Sequence, residues 1–68
     1  MALYGSLPIE YASVPQAVRT EAEKEFGTSS GLKAMKCQEY GETKYEIEGM
    51  KGGKKHEVSY DEKGKHED

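Results

Sequence analysis

The sequence has no tryptophan, one phenylalanine, one cysteine and two prolines among its 68 residues. With so few large apolar side chains, any hydrophobic core must be thin, and the length allows one domain at most. The single Cys37 excludes an internal disulfide and any Cys-x-x-Cys motif for zinc or redox chemistry. No stretch approaches the run of about 20 apolar residues that spans a bilayer, so we expect no membrane span.

Leader signals and strong charge are also missing. The first ten residues lack the cationic stretch and apolar run of a signal peptide. We therefore expect either a cytoplasmic protein or a mature or cloned fragment that has lost its targeting segment. The net charge of −3 is mild, which argues against a general nucleic-acid binder and against an acidic disordered tail.

One amphipathic helix is predicted over residues 14–26. Apolar side chains recur there every four residues and form one stripe, namely Val14, Val18, Ala22 and Phe26. Ser13 and Gln16 have the spacing of a capping box, and Pro15 is acceptable in a first helical turn. Gly27 is expected to end the helix in a left-handed conformation.

Alternation of apolar and polar residues predicts strands on both sides of this helix. A short leading strand is expected from Leu7 to Tyr11, since proline is tolerated at a sheet edge or at the start of a strand. A strand over Leu32–Glu39 is expected to contain a bulge or a twist, because its apolar residues Leu32 and Met35 are three apart. Two further strands flank Lys51–Lys54, whose two central glycines are typical of a tight hairpin turn.

The alternation gives the predicted sheet two different faces. The apolar face carries Leu32, Tyr45, Ile47, Val58 and Tyr60, and the polar face carries Lys44, Glu46, Glu48, Glu57 and Ser59. We therefore predict a two-layer α+β domain, in which one helix covers one face of a three- to four-stranded antiparallel sheet in the order β-α-β-β-β. Residues 1–6 are expected to form a flexible arm, residues 7–65 the domain, and residues 66–68 a polar end.

Several motifs resemble those of PepSY-like domains. The segment 14–18 opens a short helix that ends in Phe26-Gly27, and segments 44–47 and 53–61 are similar to that family's tyrosine-rich hairpin. Asp61–Lys65 is similar to its Asp-x-x-Gly-Lys turn, so the resemblance covers roughly residues 7–65.

The resemblance implies a cystatin-like topology that is related to β-lactamase-inhibitor-like repeats. It also implies a secreted or periplasmic bacterial protein that binds or inhibits other proteins, sometimes peptidases. The family has no shared catalytic residues to carry over. This chain departs from it after Gly64, where Lys65–Asp68 is polar in place of a further apolar strand.

No catalytic or metal site is predicted. His56, His66 and Cys37 lack the ligand spacing of zinc sites, so we expect His56 to be a partly covered strand residue and no metal or cofactor to bind. Cys37 lacks a predicted neighbouring base and is better explained as a small buried or half-buried filler. The lysines around Gly52-Gly53 are flanked by strands rather than by a helix N-terminus, which argues against a phosphate loop.

These observations together predict protein binding without catalysis. Residues suited to recognition are Tyr4, Tyr11, Tyr40, Lys54 and Lys55. We expect a binding or regulatory module whose partner is a protein, such as a peptidase, or a component of the cell envelope. The alternative is a self-associating structural or assembly protein. A missing final strand would leave a sheet edge that either forms a homodimer or accepts a strand from a target.

Overall fold

The computed structural model describes residues 4–67 and contains one helix and one five-stranded antiparallel sheet. The elements are β1 (Tyr4–Ile9), a 3₁₀ turn (Tyr11–Ser13), α1 (Gln16–Phe26), β2 (Lys33–Glu39), β3 (Glu42–Lys51), β4 (Lys54–Asp61) and β5 (His66–Glu67). The strands lie in chain order across the sheet. The predicted α+β class is confirmed, but the order is β-α-β-β-β-β, with more strands than the expected three or four.

The helix begins two residues later than predicted. Val14 is extended, with φ −71° and ψ 139°, because the residue before a proline is disfavoured in helical geometry. Pro15 is the N-cap and no side chain caps the helix, so the predicted capping box of Ser13 and Gln16 is wrong. At the other end Gly27 has φ 72° and its N–H donates to the Glu23 carbonyl, which confirms the predicted C-cap.

Strand β1 also has different bounds from those predicted. It begins at Tyr4, so residues 4–6 of the expected flexible arm pair with β2, while residues 1–3 lie outside the described residues. It ends at Ile9, and Tyr11 belongs to the 3₁₀ turn instead. The pairing runs antiparallel from Tyr4 opposite Glu39 to Ile9 opposite Ala34.

Of the bulge or twist predicted for β2, the bulge is wrong. This strand pairs residue for residue with both neighbours. The irregular apolar spacing has a simpler cause, because Leu32 precedes the strand and packs against the core whereas Met35 faces the other side of the sheet. Ala34 supplies the buried residue of this strand.

The C-terminal segment belongs to the sheet. His66 and Glu67, expected to lie in a polar end, pair with Tyr60 and Ser59, while Asp68 is outside the described residues. The turn before them is held by Asp61, whose Oδ1 accepts hydrogen bonds from the N–H groups of Lys63 and Lys65, each at 2.9 Å.

Gly64, in the same turn, is buried against the helix. Its φ of 88° and its distance from the helix both require glycine, since a Cβ there would lie 2.5 Å from the Ala17 carbonyl oxygen. The turn thereby packs the end of β4 against the first half of α1.

The core lies between α1 and the sheet, and chiefly over β3 and β4. Its buried residues are Val14, Val18, Ala22, Phe26, Ala34, Tyr45, Ile47, Val58 and Tyr60. The predicted contact surface between the helix stripe and the apolar sheet face is therefore confirmed. Gly49 in β3 leaves room for Phe26, because a Cβ there would lie 3.1 Å from the ring and closer still to Leu32.

Both hairpins that flank β3 have two-residue turns. Tyr40 and Gly41 have φ values of 51° and 84°, and Gly52 and Gly53 have φ values of 61° and 77°. Positive φ at both positions is the requirement of a type I′ turn, which matches the twist of the adjoining strands. The predicted Gly-Gly hairpin is confirmed.

Within residues 4–67, the helix is too short and too polar to cross a membrane.

Candidate protein-binding edge

The turn at Gly52-Gly53 determines which main-chain groups of β4 face away from the sheet. A two-residue turn is closed by a hydrogen-bonded pair, here Lys51 and Lys54, and such pairs alternate along an antiparallel ladder. Lys55 and Glu57 therefore direct their N–H and C=O groups away from β3. Asp61 has the same parity, and its N–H donates outward to the Lys65 carbonyl over 2.8 Å, in agreement with this assignment.

Only part of β4 is covered on this outer side. Strand β5 pairs with Ser59 and Tyr60, and among residues 4–67 no strand pairs with the outer side of Lys54–Val58. We call these five residues the open edge. Its unpaired ladder groups are the N–H and C=O of Lys55 and Glu57, which are the groups that another strand would bind.

The opposite edge of the sheet, formed by β1, is different. The turn at Tyr40-Gly41 is closed by Glu39 and Glu42, so the same alternation directs the main-chain groups of Ser6 and Pro8 outward. Proline has no N–H to offer a neighbouring strand. This edge is therefore blocked at Pro8, and the sheet presents one accessible edge and one protected edge.

The open edge is held in place from the helix side. The Nε2 atom of His56 lies 3.1 Å from Glu25 Oε2, and its ring packs edge-on against Phe26 with centroids 5.5 Å apart. Lys51 Nζ donates to the same carboxylate oxygen. Hydrogen bonds from Lys51 and His56 lower the pKa of Glu25. The end of α1 is thus tied to the hairpin that carries the open edge.

Side chains beside the open edge carry charges of both signs on the outer face of the sheet. Lys55 is largely exposed, and its Nζ lies 3.5 Å from Oε1 of Glu48. Glu48 is the residue of β3 that pairs with Glu57. Glu57 is exposed at the edge itself. A strand added here would therefore contact one positive and one negative side chain, two residues apart.

An acidic cluster lies next to the edge on the same face. Glu46, Glu48 and Glu57 line a shallow groove of about 180 Å³ that also includes Pro8 and Met35. Burial raises the pKa of Glu46, and the charge of Glu57 and a hydrogen bond with it raise that pKa further. Within residues 4–67, His, Cys, Asp and Glu side chains do not come together in groups of three or more that could hold a metal ion.

The structure separates the residues that the sequence suggested for recognition. Lys54 and Lys55 lie together on the open edge. Tyr4 starts the far strand β1, and Tyr40, which is 75% exposed, occupies the β2–β3 turn at the opposite end of β3 from the Gly-Gly hairpin.

Tyr11 is engaged within the fold. Its hydroxyl donates to Glu23 Oε2 over 2.8 Å. Burial raises the pKa of Tyr11, and the hydrogen bond to the carboxylate and its charge raise it further. The recognition residues suggested by the sequence did not include Glu57, because the outward direction of its N–H and C=O groups follows only from the strand register.

Cys37 lies on the outer face, beside the β1 edge. Its sulfur accepts a hydrogen bond from the Ser6 hydroxyl, with 3.5 Å between Oγ and Sγ. On the other side, Cys37 pairs with Lys44 of β3. Lys36 faces the other side of the sheet, as predicted. Among residues 4–67, no carboxylate or imidazole forms a hydrogen bond with the Cys37 thiol, and such a partner is what activates a nucleophile.

No protein-family model, curated protein or solved structure matches the chain.

Proposed function

We propose that the chain is a non-enzymatic protein-binding module, which pairs an extended segment of a partner protein with the open edge of β4. The observation that carries this proposal is the outward orientation of the N–H and C=O groups of Lys55 and Glu57. Strand addition of this kind takes its affinity from main-chain hydrogen bonds and its selectivity from the alternate side chains. It needs no specialised pocket.

The charges at the edge define the preferred partner segment. In an antiparallel arrangement, a partner residue opposite Glu57 should be basic, and the residue two positions later, opposite Lys55, should be acidic. The preferred segment is therefore extended and contains a basic-x-acidic sequence. The same basic-x-acidic segment in a parallel arrangement would bring like charges together, with its basic residue near Lys55 and its acidic residue near Glu57.

The resemblance to PepSY-like domains supports this class of function. It suggests a partner of the cell envelope, or a peptidase that the module inhibits, and an extracytoplasmic bacterial setting. The helix-on-sheet architecture is compatible with that resemblance, and the open edge supplies a binding mode that needs no shared catalytic residues.

A nuclear magnetic resonance titration tests the proposal. The probe is a short synthetic peptide of β-branched residues with Lys-Val-Glu at its centre, added to the ¹⁵N-labelled protein. We expect the amide signals of Lys55 and Glu57 to shift most, because their N–H groups gain hydrogen bonds. The same peptide with N-methylated lysine and glutamate should bind at least about tenfold more weakly, because a lost main-chain hydrogen bond leaves its partner unpaired.

A proline variant gives a second arm with a matched control. Glu57→Pro removes an outward N–H but no ladder bond to β3, so peptide binding should be lost while the fold is kept. Ser6→Pro makes the same change on the β1 edge and should leave binding unchanged. Equal binding by Glu57→Pro and the parent protein would refute the proposed edge.

A further inference from the structure

We propose that a second copy of this chain is itself a partner for the open edge, in an antiparallel β4–β4 dimer with His56 opposite His56 of the second copy. The two five-stranded sheets would form one continuous sheet. This inference uses the edge of the proposed function, but it rests on a separate observation: the edge sequence Lys55-His56-Glu57 is complementary to itself when reversed.

The orientation of the main chain permits this dimer. Only Lys55 and Glu57 offer outward N–H and C=O groups within the open edge. With the two-fold axis at His56, Lys55 lies opposite Glu57 of the second copy, and Glu57 lies opposite Lys55 of the second copy. Both are pairs in which each residue can donate and accept, so the ladder continues across the interface.

Charge selects this register among those that keep the hydrogen-bond pattern. A shift in one direction places Lys55 opposite Lys55 of the second copy, and a shift in the other direction places Glu57 opposite Glu57. Like charges directly opposite each other destabilise an antiparallel pair, whereas opposite charges stabilise it. The register centred on His56 is the one in which both outer-face pairs are attractive.

The length of the open edge fits the same register. The edge runs from Lys54 to Val58 and is centred on His56, so Lys54 lies opposite Val58 of the second copy. Beyond Val58 each strand is covered by its own β5, and beyond Lys54 the hairpin turn begins. The turn of one copy therefore begins at the position where β5 starts to cover β4 of the other copy.

Charge-exchange variants test the register directly. Lys55→Glu makes both edge positions acidic, and Glu57→Lys makes both basic, so each single variant should oppose its own dimerisation. In an equimolar mixture, every pair across the interface is again attractive, and a heterodimer should form. The chain carrying both changes, Lys55→Glu with Glu57→Lys, has its charges exchanged and should dimerise like the parent protein.

Analytical ultracentrifugation measures these equilibria at protein concentrations up to about 1 mM, because so short an interface belongs to the weak, transient class. We expect the dimer dissociation constant of each single variant to rise at least about tenfold, and the mixture to recover the parent value. Recovery in the mixture also shows that both variants are folded. A parent protein that stays monomeric, or a mixture that does not associate, would overturn the dimer.

The outcomes separate this inference from the proposed function. A monomeric parent protein that still binds the Lys-Val-Glu peptide at Lys55 and Glu57 would overturn the dimer and leave the binding function standing. A dimer that follows the charge-exchange pattern, in a protein that never binds the peptide, would do the reverse. Glu57→Pro should abolish both events, and its failure to abolish dimerisation would refute β4 as the dimer edge.

Discussion

The two faces of the sheet are built from alternate residues of the same strands, but one is buried against the helix and the other faces water. On the covered face, Tyr45, Ile47, Val58 and Tyr60 are all buried against α1. On the outer face, the same strands carry carboxylates and lysines in contact with water, and burial raises the pKa of the Glu46 carboxyl there. Stability therefore depends mainly on the covered face, which leaves the outer face and its adjoining edge available for recognition.

The covered face should be most sensitive at Phe26. Phe26→Ala removes the largest apolar side chain of the helix stripe, and truncations of this kind cost about 3–5 kcal/mol in well-packed cores. A core of this size rarely supplies more than about 3–5 kcal/mol in total. We therefore expect the variant to be largely unfolded at room temperature in circular-dichroism melts.

Met50→Ala is the control for that experiment, because Met50 is 61% exposed on the outer face. It should melt close to the parent protein. A cooperative transition of Phe26→Ala near the parent temperature would show that the helix does not depend on this contact.

Gly64 tests whether the contact between turn and helix matters as much as side-chain packing. Gly64→Ala should cost about 2–4 kcal/mol, since a left-handed backbone is unfavourable for alanine and overpacking adds a further cost. The new Cβ would meet the backbone of Ala17, which cannot move aside as a flexible side chain can.

Gly27→Ala separates these two contributions. Its φ of 72° is similar, but a Cβ at Gly27 would have no atom within 4 Å. It should lose only the backbone part, about 1 kcal/mol. Equal losses by urea denaturation for the two variants would contradict the close approach of Gly64 to the helix.

The outer face should respond to pH at Glu46. A carboxyl whose folded pKa is raised binds protons more readily in the native state, so its ionisation reduces stability as pH rises through the folded pKa, above the ordinary value of 4.5. Glu46→Gln removes this loss. We expect the variant to be more stable than the parent at pH 7, by a few tenths of a kcal/mol, and the advantage to shrink at acidic pH below both pKa values.

Urea denaturation at a series of pH values measures that difference. The difference between the free energies of unfolding of parent and variant cancels the titration of the other carboxyls. A stability advantage of Glu46→Gln that grows on acidification would mean that the pKa of Glu46 is lowered in the folded state. That result would contradict the burial of this carboxyl.

A similarly small effect is expected at Glu48, on the same face. Its ion pair with Lys55 spans 3.5 Å, and the lysine is 71% exposed, so solvent screens the attraction. Glu48→Ala should change stability by less than about 0.5 kcal/mol in denaturation at low protein concentration. A loss comparable to that of Gly64→Ala would show that the two faces are not as different as proposed.

Local patterns predicted much of this fold. The helix stripe, its glycine cap, the Gly-Gly turn and the apolar face of β3 and β4 all follow from short-range periodicity, and the structure confirms them. The start of the helix was mispredicted because two local rules compete at Val14 and Pro15. The restriction on the residue before proline prevails over the Ser13 cap.

Long-range pairing was less accessible from the sequence. Tyr4–Ser6 and His66–Glu67 have little strand pattern of their own and become strands because β2 and β4 offer them partners. For the binding edge, the sequence places Lys54 and Lys55 beside the Gly-Gly turn. The role of Glu57 depends on hydrogen-bond parity, which the turn predicts only once the strand register is known.

The two tight turns also imply an order of folding. They make β2, β3 and β4 neighbours along the chain as well as in the sheet, so this meander closes with short loops and should form early. Strand β1 reaches β2 only after the intervening helix has been accommodated, which costs more chain entropy. During that interval the edge of β2 is as exposed as the edge of β4. The arrival of β1, with Pro8 on its outward side, therefore both completes the sheet and ends a period in which misassociation between newly made chains is possible.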